Sequence, residues 1–192
     1  MSSSHSSLLL VTFIVCAVLI SQSAAVPFNY LKLVLQWGPT VCEVYEEDGR
    51  VCKISPIVDK LTIHGIWPST LQEPQPRDCT TTNPDGMHLR EYEFSSALLT
   101  RMDKFWPSYY FQDFRQFWRQ QWNAHGRCSY PSIQQKDYVK LAINLAEALD
   151  ILEALKKAGI VPRSNREDTK YWSRELLIDA VKIYGFRKGI RM

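Results

Sequence analysis

Lys60-Leu61-Thr62-Ile63-His64-Gly65-Ile66-Trp67-Pro68 is the stretch on which the fold turns. Leu61 and Ile63 fall on one side and Thr62 and His64 on the other, the two-residue period of a strand. Pro68 is expected to end it, because proline cannot donate to a ladder. Upstream, Tyr30 to Trp37 sets Leu31, Leu33, Leu35 and Trp37 against Lys32, Val34 and Gln36. That is a second strand, apolar on both faces at its centre and so expected to be well buried. Residues 38 to 60 between them carry Gly, Pro and charge and read as loop. Residues 69 to 90 are rich in Pro, Thr, Asp and Asn and read as a long irregular segment.

Helical spacing takes over downstream. Ser95 to Phe105 places Leu98, Leu99 and Met102 on one face, with Pro107 beyond its end. Phe111 to Asn123 groups Phe111, Phe114, Phe117, Trp118 and Trp122. Asp137 to Lys157 reads as one long helix with Leu141, Leu145, Ala148, Leu149, Leu152 and Leu155 as its stripe and Gly159 as its stop. Tyr171 to Tyr184 turns Leu176, Leu177, Ala180 and Val181 inward, and Gly185 is expected to close it. Strands first and helices later predict an α+β domain. The pattern shows no internal repeat and no linker.

Composition agrees with one globular domain. The 192 residues are 45% hydrophobic and 22% charged, which excludes a disordered chain or a low-complexity fibre. Six Trp, nine Tyr and eight Phe suffice for a dense core. A net charge of +3 permits a polyanionic partner without demanding one.

The first 25 residues stand apart from this domain. Leu8 to Ile20 is an apolar run of 13 residues, short of the 18 or so of a membrane span. Ser23-Ala24-Ala25 follows with small residues suited to cleavage after Ala25. Residues 1–25 therefore read as a secretory signal peptide and 26–192 as the mature domain, secreted and extracellular, without stable membrane association. The alternative is an uncleaved anchor. Cleavage removes Cys16 and leaves Cys42, Cys52, Cys79 and Cys128, an even number that reads as two disulfides. Three pairings are possible, and the sequence does not choose among them. No Asn-X-Ser/Thr sequon is present.

Three histidines remain after processing: His64, His88 and His125. His64 and His125 each precede a glycine, which permits close backbone approach. They read either as core histidines satisfied by hydrogen bonds or as a pair for acid–base chemistry near neutral pH. His88, in the irregular segment, reads as solvated. A zinc site through His125, Cys128 and His64 competes with the preference of a secreted chain for disulfides, so no metal and no cofactor are expected. No Gly-X-Gly-X-X-Gly, Walker or Gly-X-Ser-X-Gly motif occurs.

The segments around the two histidines resemble a known family. Leu61 to Pro68 resembles the first active-site motif of the ribonuclease T2 family, and Trp118 to Cys128 resembles the second. Phe28 to Cys42 is similar to the mature amino terminus of plant S-RNases and their relatives, and Gly159-Ile160-Val161-Pro162 and the Tyr171 helix also match. The resemblance implies an α+β fold with a central antiparallel sheet and several helices. It implies a secreted, metal-independent endoribonuclease, monomeric and acting on single-stranded RNA. In such an enzyme the ribose 2′-hydroxyl attacks the adjacent phosphorus and gives a 2′,3′-cyclic phosphate. His125 corresponds to the base and His64 to the acid. Trp67 stacks on a base or walls the site, or else belongs to the core. Gln36 resembles a position near a base pocket, or else serves the sheet. The expected pairing is Cys42 with Cys52 and Cys79 with Cys128, the second bridge anchoring the loop after His125.

Departures from the family pattern lie at the second motif. An additional His is replaced by Gln120, a Glu by Gln121 and a Lys by Ala124, the last two being groups that would stabilise the phosphorane. Arg127, where Thr is usual, offers a cation nearby. Losing one electrostatic stabiliser typically costs about 10²–10³ in rate, and two could cost roughly 10⁴ without strict additivity. The sequence therefore predicts a weakened ribonuclease. The alternative is a catalytically inactive secreted protein for RNA binding, recognition or storage. Gly185 to Met192 resembles the stretch leading into a further strand, so the domain is expected to be shortened at its carboxyl end and to leave a sheet edge unpaired.

Overall fold

The computed structural model describes residues 27–53, 60–162 and 172–187, and the expected signal peptide lies outside them. Strand β1 (Tyr30–Trp37) pairs antiparallel with β2 (Leu61–Ser69). Among the described residues these two strands form the sheet. The helices are α1 (Gly38–Glu47), α2 (Pro84–Met87, a single turn), α3 (Ser96–Phe105), α4 (Phe114–Ala124), α5 (Gln135–Ala148), α6 (Ile151–Lys157) and α7 (Arg174–Arg187). The architecture is α+β, as expected.

The core is aromatic. Ile63 and Ile66 of β2 pack with Met102 of α3, Phe117, Trp118 and Trp122 of α4, and Tyr138, Val139, Ala142 and Ile143 of α5. Buried indole N–H groups need acceptors. Trp118 Nε1 donates to the Trp106 carbonyl at 2.7 Å and Trp122 Nε1 to the Gly86 carbonyl at 3.0 Å. The Tyr138 hydroxyl donates to the Ile66 carbonyl and so fastens α5 to β2. Helix starts follow side-chain chemistry. Ser95 accepts from Leu98 N at 3.3 Å to begin α3, and Asp113 accepts from Arg115 N at 3.0 Å to begin α4.

Several local expectations are corrected. Residues 38–47 are helical, although they read as loop. Pro39 sits in the first turn, where its missing N–H costs nothing. Cys42 and Tyr45 are buried there beside Tyr109, in a small cluster joined by Cys52. Strand β1 is only half-buried: its leucines pack on the core, while Tyr30 and Lys32 are exposed. Pro68 does not end β2, which runs on to Ser69 with Pro68 opposite Leu31. A strand with an open edge tolerates proline there.

The long helix expected over 137–157 is two. Asp150 breaks it by accepting from Glu153 N at 3.0 Å and capping α6. The second piece packs elsewhere, Leu155 joining Ile160 and Ala180 of α7 in a separate cluster. Ala148 lies exposed, and Tyr138, Val139, Ala142 and Ile143 form the inward face of α5 instead. Gly159 does stop α6, with φ +74°. Gly185 does not stop α7, which continues to Arg187, and Leu176 is 41% exposed rather than inward. Glycine within a helix costs only about 1 kcal/mol, so it is a weak stop signal.

Both disulfides are those expected. Cys42–Cys52 closes the short loop and Cys79–Cys128 the long one. Cys128 is thereby removed as a thiolate ligand for zinc.

Candidate active site

His64 sits where the strand pairing slips. Val34 opposes Gly65 and Leu35 opposes Ile63, so His64 has no partner across the ladder. Such a bulge inserts one residue and re-aims the side chains around it. The simple alternation expected of Leu61 to Trp67 is broken here. Ile63 and Ile66 are both fully buried in the core, and His64 is left half-buried at a cleft. Trp106 Nε1 donates to the His64 carbonyl at 3.0 Å and holds the bulge. The ring meets Trp67 and Phe117 edge-on. His64 Nδ1 lies 3.0 Å from Gln36 Oε1. An amide oxygen only accepts, so Nδ1 donates and Nε2 is left for other chemistry. Burial lowers the imidazole pKa below its ordinary value.

His125 closes α4. Its N–H donates to the Gln121 carbonyl at 3.0 Å, and the chain turns at once into a short 3₁₀ segment, Gly126–Ser129. Gly126 is required, because a Cβ there would lie 2.4 Å from the Trp122 ring. The His125 ring stacks on Trp67, with centroids 4.4 Å apart and planes 18° apart. His125 Nε2 is 3.4 Å from Arg77 Nη1. Its pKa is pushed down to about 4, chiefly by burial, then by the Arg77 and His64 charges, with Asp78 opposing.

Trp67 joins the two motifs. Its Nε1 donates to Gln121 Oε1 at 3.2 Å, which fixes the indole across His125. The packing leaves no space at Gly65: a Cβ would lie 2.4 Å from Trp67 Nε1 and 2.5 Å from Gln121 Oε1. His64, Trp67, Gln120, Gln121, Ala124 and His125 thus face one cleft of about 380 Å³. Gln36 reaches it through its bond to His64. Gln121 is buried, whereas Gln120 is exposed on the rim.

Arg127 takes no part in the cleft. Its guanidinium donates to Asn123 Oδ1 at 2.6 Å and to the Cys79 carbonyl at 3.4 Å, on the far side of the turn. His88 is exposed, and its carbonyl accepts from Gln135 Nε2 at 2.7 Å. Sequence reasoning missed Arg77, Arg50 and Tyr110, which also line the cleft, together with Phe111 and Phe117. Arg77 lay hidden in the irregular segment. The one usable signal was its place two residues before a bridged cysteine. A second cavity, about 460 Å³, lies between Lys60, Lys104 and the start of α6 and holds no imidazole. Both imidazoles, His64 and His125, line the smaller cleft.

Comparison with known proteins decides the family. Residues 28–184 match the model of the Ribonuclease T2 family. The chain belongs to the ribonuclease T2 family. Ribonuclease 1 of Arabidopsis thaliana is 32% identical over 165 residues, covering 84% of this chain and 66% of the relative. A "Ribonuclease-like storage protein" of Panax ginseng is 30% identical over 140 residues, covering 72% of this chain and 55% of the relative. Among solved structures, a variant of RNase MC1, a ribonuclease of bitter gourd seeds, in complex with 5′-GMP superposes with a TM-score of 0.67. It is 27% identical, covering 82% of this chain and 75% of that one. This T2 member therefore spans about two thirds of the length of its Arabidopsis relative. No helix among its described residues is long and apolar enough to cross a membrane.

Proposed function

We propose that the protein is a secreted endoribonuclease that cleaves single-stranded RNA by transphosphorylation, at a rate below that of relatives with a complete second motif. The observation that carries the reading is the convergence of His64 and His125 on one cleft. In this reading neutral His125 takes the proton of the ribose 2′-hydroxyl. The 2′-oxygen attacks phosphorus, the bond from phosphorus to the 5′-oxygen breaks, and His64 gives its proton to that leaving oxygen. The product ends in a 2′,3′-cyclic phosphate. The lowered pKa of His125 supports the base role, since a neutral imidazole is what a base must be. The Gln36 contact supports the acid role, because it orients the His64 ring through Nδ1.

Gln121 serves in this reading as a positioning residue. It holds Trp67, and Trp67 holds His125. Lacking an ionisable proton, it cannot supply carboxylate charge. Residues 1–25 act as a cleaved signal peptide, and the mature chain works as a monomer without metal or cofactor. A second reading, a non-catalytic secreted protein, is favoured by Gln120, Gln121 and Ala124 standing together in the second motif. One assay separates them: single-stranded RNA incubated with the refolded mature protein from pH 4 to 8. Cyclic phosphate ends that disappear with His64→Ala and with His125→Ala support the enzyme. A folded protein that leaves RNA intact at every pH supports the second reading.

A further inference from the structure

The lining of the cleft includes Arg50, Arg77, His64 and His125, and no carboxylate. Arg50 sits toward Tyr110, with its guanidinium carbon 5.9 Å from the ring centroid. Arg77 is the cation in contact with an imidazole, 3.4 Å from His125 Nε2. That contact is long for a hydrogen bond. It also opposes any proton arriving on His125, since two cations would then face each other. The firmer contact of Arg77 is the ion pair of Nε with Asp78 Oδ2 at 3.2 Å, which solvent screens because the two side chains are 61% and 71% exposed.

The backbone beneath it is fixed. Asp78 adopts a left-handed conformation with φ +52°, which an aspartate tolerates better than most residues. Asp78 N donates to the Ala124 carbonyl at 2.8 Å, tying the segment to the last turn of α4. Cys79 is bridged to Cys128. The Arg127 guanidinium donates to the Cys79 carbonyl and so braces the segment that carries Arg77. Asp78 Oδ2 accepts from Arg77 Nε at 3.2 Å, which leaves both Nη groups for a ligand. Ala124 contributes no atom beyond Cβ, so nothing of its own side chain obstructs the arm.

We propose that Arg77 is the phosphate-binding cation of this cleft, its guanidinium turning from His125 onto the phosphate oxygens between the two imidazoles and supplying charge that Ala124 and Gln121 lack. The proposal rests on the ribonucleolytic reading of the same cleft, and its test has a readout independent of cleavage. Uridine 3′-monophosphate binding is measured by calorimetry for the wild type, Arg77→Ala, Arg77→Lys, Arg77→Ala with Ala124→Lys, and the exposed control Lys140→Ala. Folding is checked by circular dichroism. Arg77→Ala is expected to weaken binding about tenfold or more, the loss of a charged hydrogen bond. Arg77→Lys should retain most of the affinity, and Ala124→Lys should restore it in the Arg77→Ala background. Imidazole titration by NMR should show the His125 pKa rising in Arg77→Ala, because a neighbouring cation is gone while His64 and Asp78 stay. Single-stranded RNA cleavage, where present, should fall about 10²-fold in kcat/KM, part of it as a raised KM, because the ground-state phosphate contact is lost as well. Equal nucleotide affinity in wild type and Arg77→Ala, or no binding by the wild type, overturns the proposal. A wild type that binds through Arg77 yet cleaves no RNA overturns the ribonucleolytic reading and leaves this one standing.

Discussion

His125 shows how a single side chain takes its chemistry from its surroundings. Trp67 covers its face, Arg77 faces its Nε2, and burial depresses its pKa to about 4. As the base of the proposed reaction it must be neutral, and in that role it would be competent above about pH 4. His64 must be protonated to act as the acid, and its pKa is lowered from 6.5 by burial. The profile of kcat/KM against pH is therefore expected to be a bell with its optimum below pH 6.5, and a rate still rising at pH 8 would contradict it. Gln121→Glu with Ala124→Lys is expected to raise the rate by about 10² or more in the same assay. Gln121→Glu alone adds a carboxylate that favours protonated imidazole, so the optimum should move upward in that single variant. Gly65→Ala is expected to cost about 1–3 kcal/mol by forcing Trp67 and Gln121 apart, read as a lower urea midpoint.

Individual elements carried unequal signals. Strand β2 and helix α4 were legible because apolar and aromatic residues recur at the strand and helix periods. The bulge at His64 was not, because pairing register depends on the partner strand. Helix α1 was missed because Gly38, Pro39 and its acidic residues also suit a loop. Its packing against Tyr109 and its disulfide override weak local preference. Asp150 could be read either as a polar position of one helix or as the cap of another, and tertiary packing of Leu155 against α7 selects the cap. Caps also give a prediction at this scale. Asp113→Ala removes the acceptor for Arg115 N and should cost about 1 kcal/mol in urea denaturation. Because Asp113 lies at the far end of α4 from His125, the pH optimum of cleavage should not move.

The whole molecule depends on two covalent closures and on two imidazoles, one buried and one half-buried. Cys79–Cys128 spans 49 residues and Cys42–Cys52 spans 10, so by chain entropy they constrain the unfolded chain by about 4 and about 3 kcal/mol. Serine replacement of Cys79 and Cys128 should therefore lower stability more than replacement of Cys42 and Cys52. It should also release Arg77 from α4, which would show as weaker uridine 3′-monophosphate binding. Both imidazoles have folded-state pKa values below that of an unfolded histidine. The unfolded chain then binds more protons below about pH 6.5, so their contribution is present above that pH and is lost as pH falls toward about 4. Thermal melts at pH 7, 5.5 and 4 should show Tm falling in that order, and His125→Gln should flatten the trend. The sequence by itself determined the α+β order of elements, the pairing-competent cysteines and both motif histidines, because residue type and short-range spacing encode them. Only the tertiary structure decided which cation reaches the cleft. Arg127 is three residues from Ala124 yet is bonded to Asn123 and the Cys79 carbonyl, whereas Arg77 is brought back by a left-handed residue, one backbone hydrogen bond and a disulfide. Proximity across 48 residues is a property of the closed chain, and no local pattern records it.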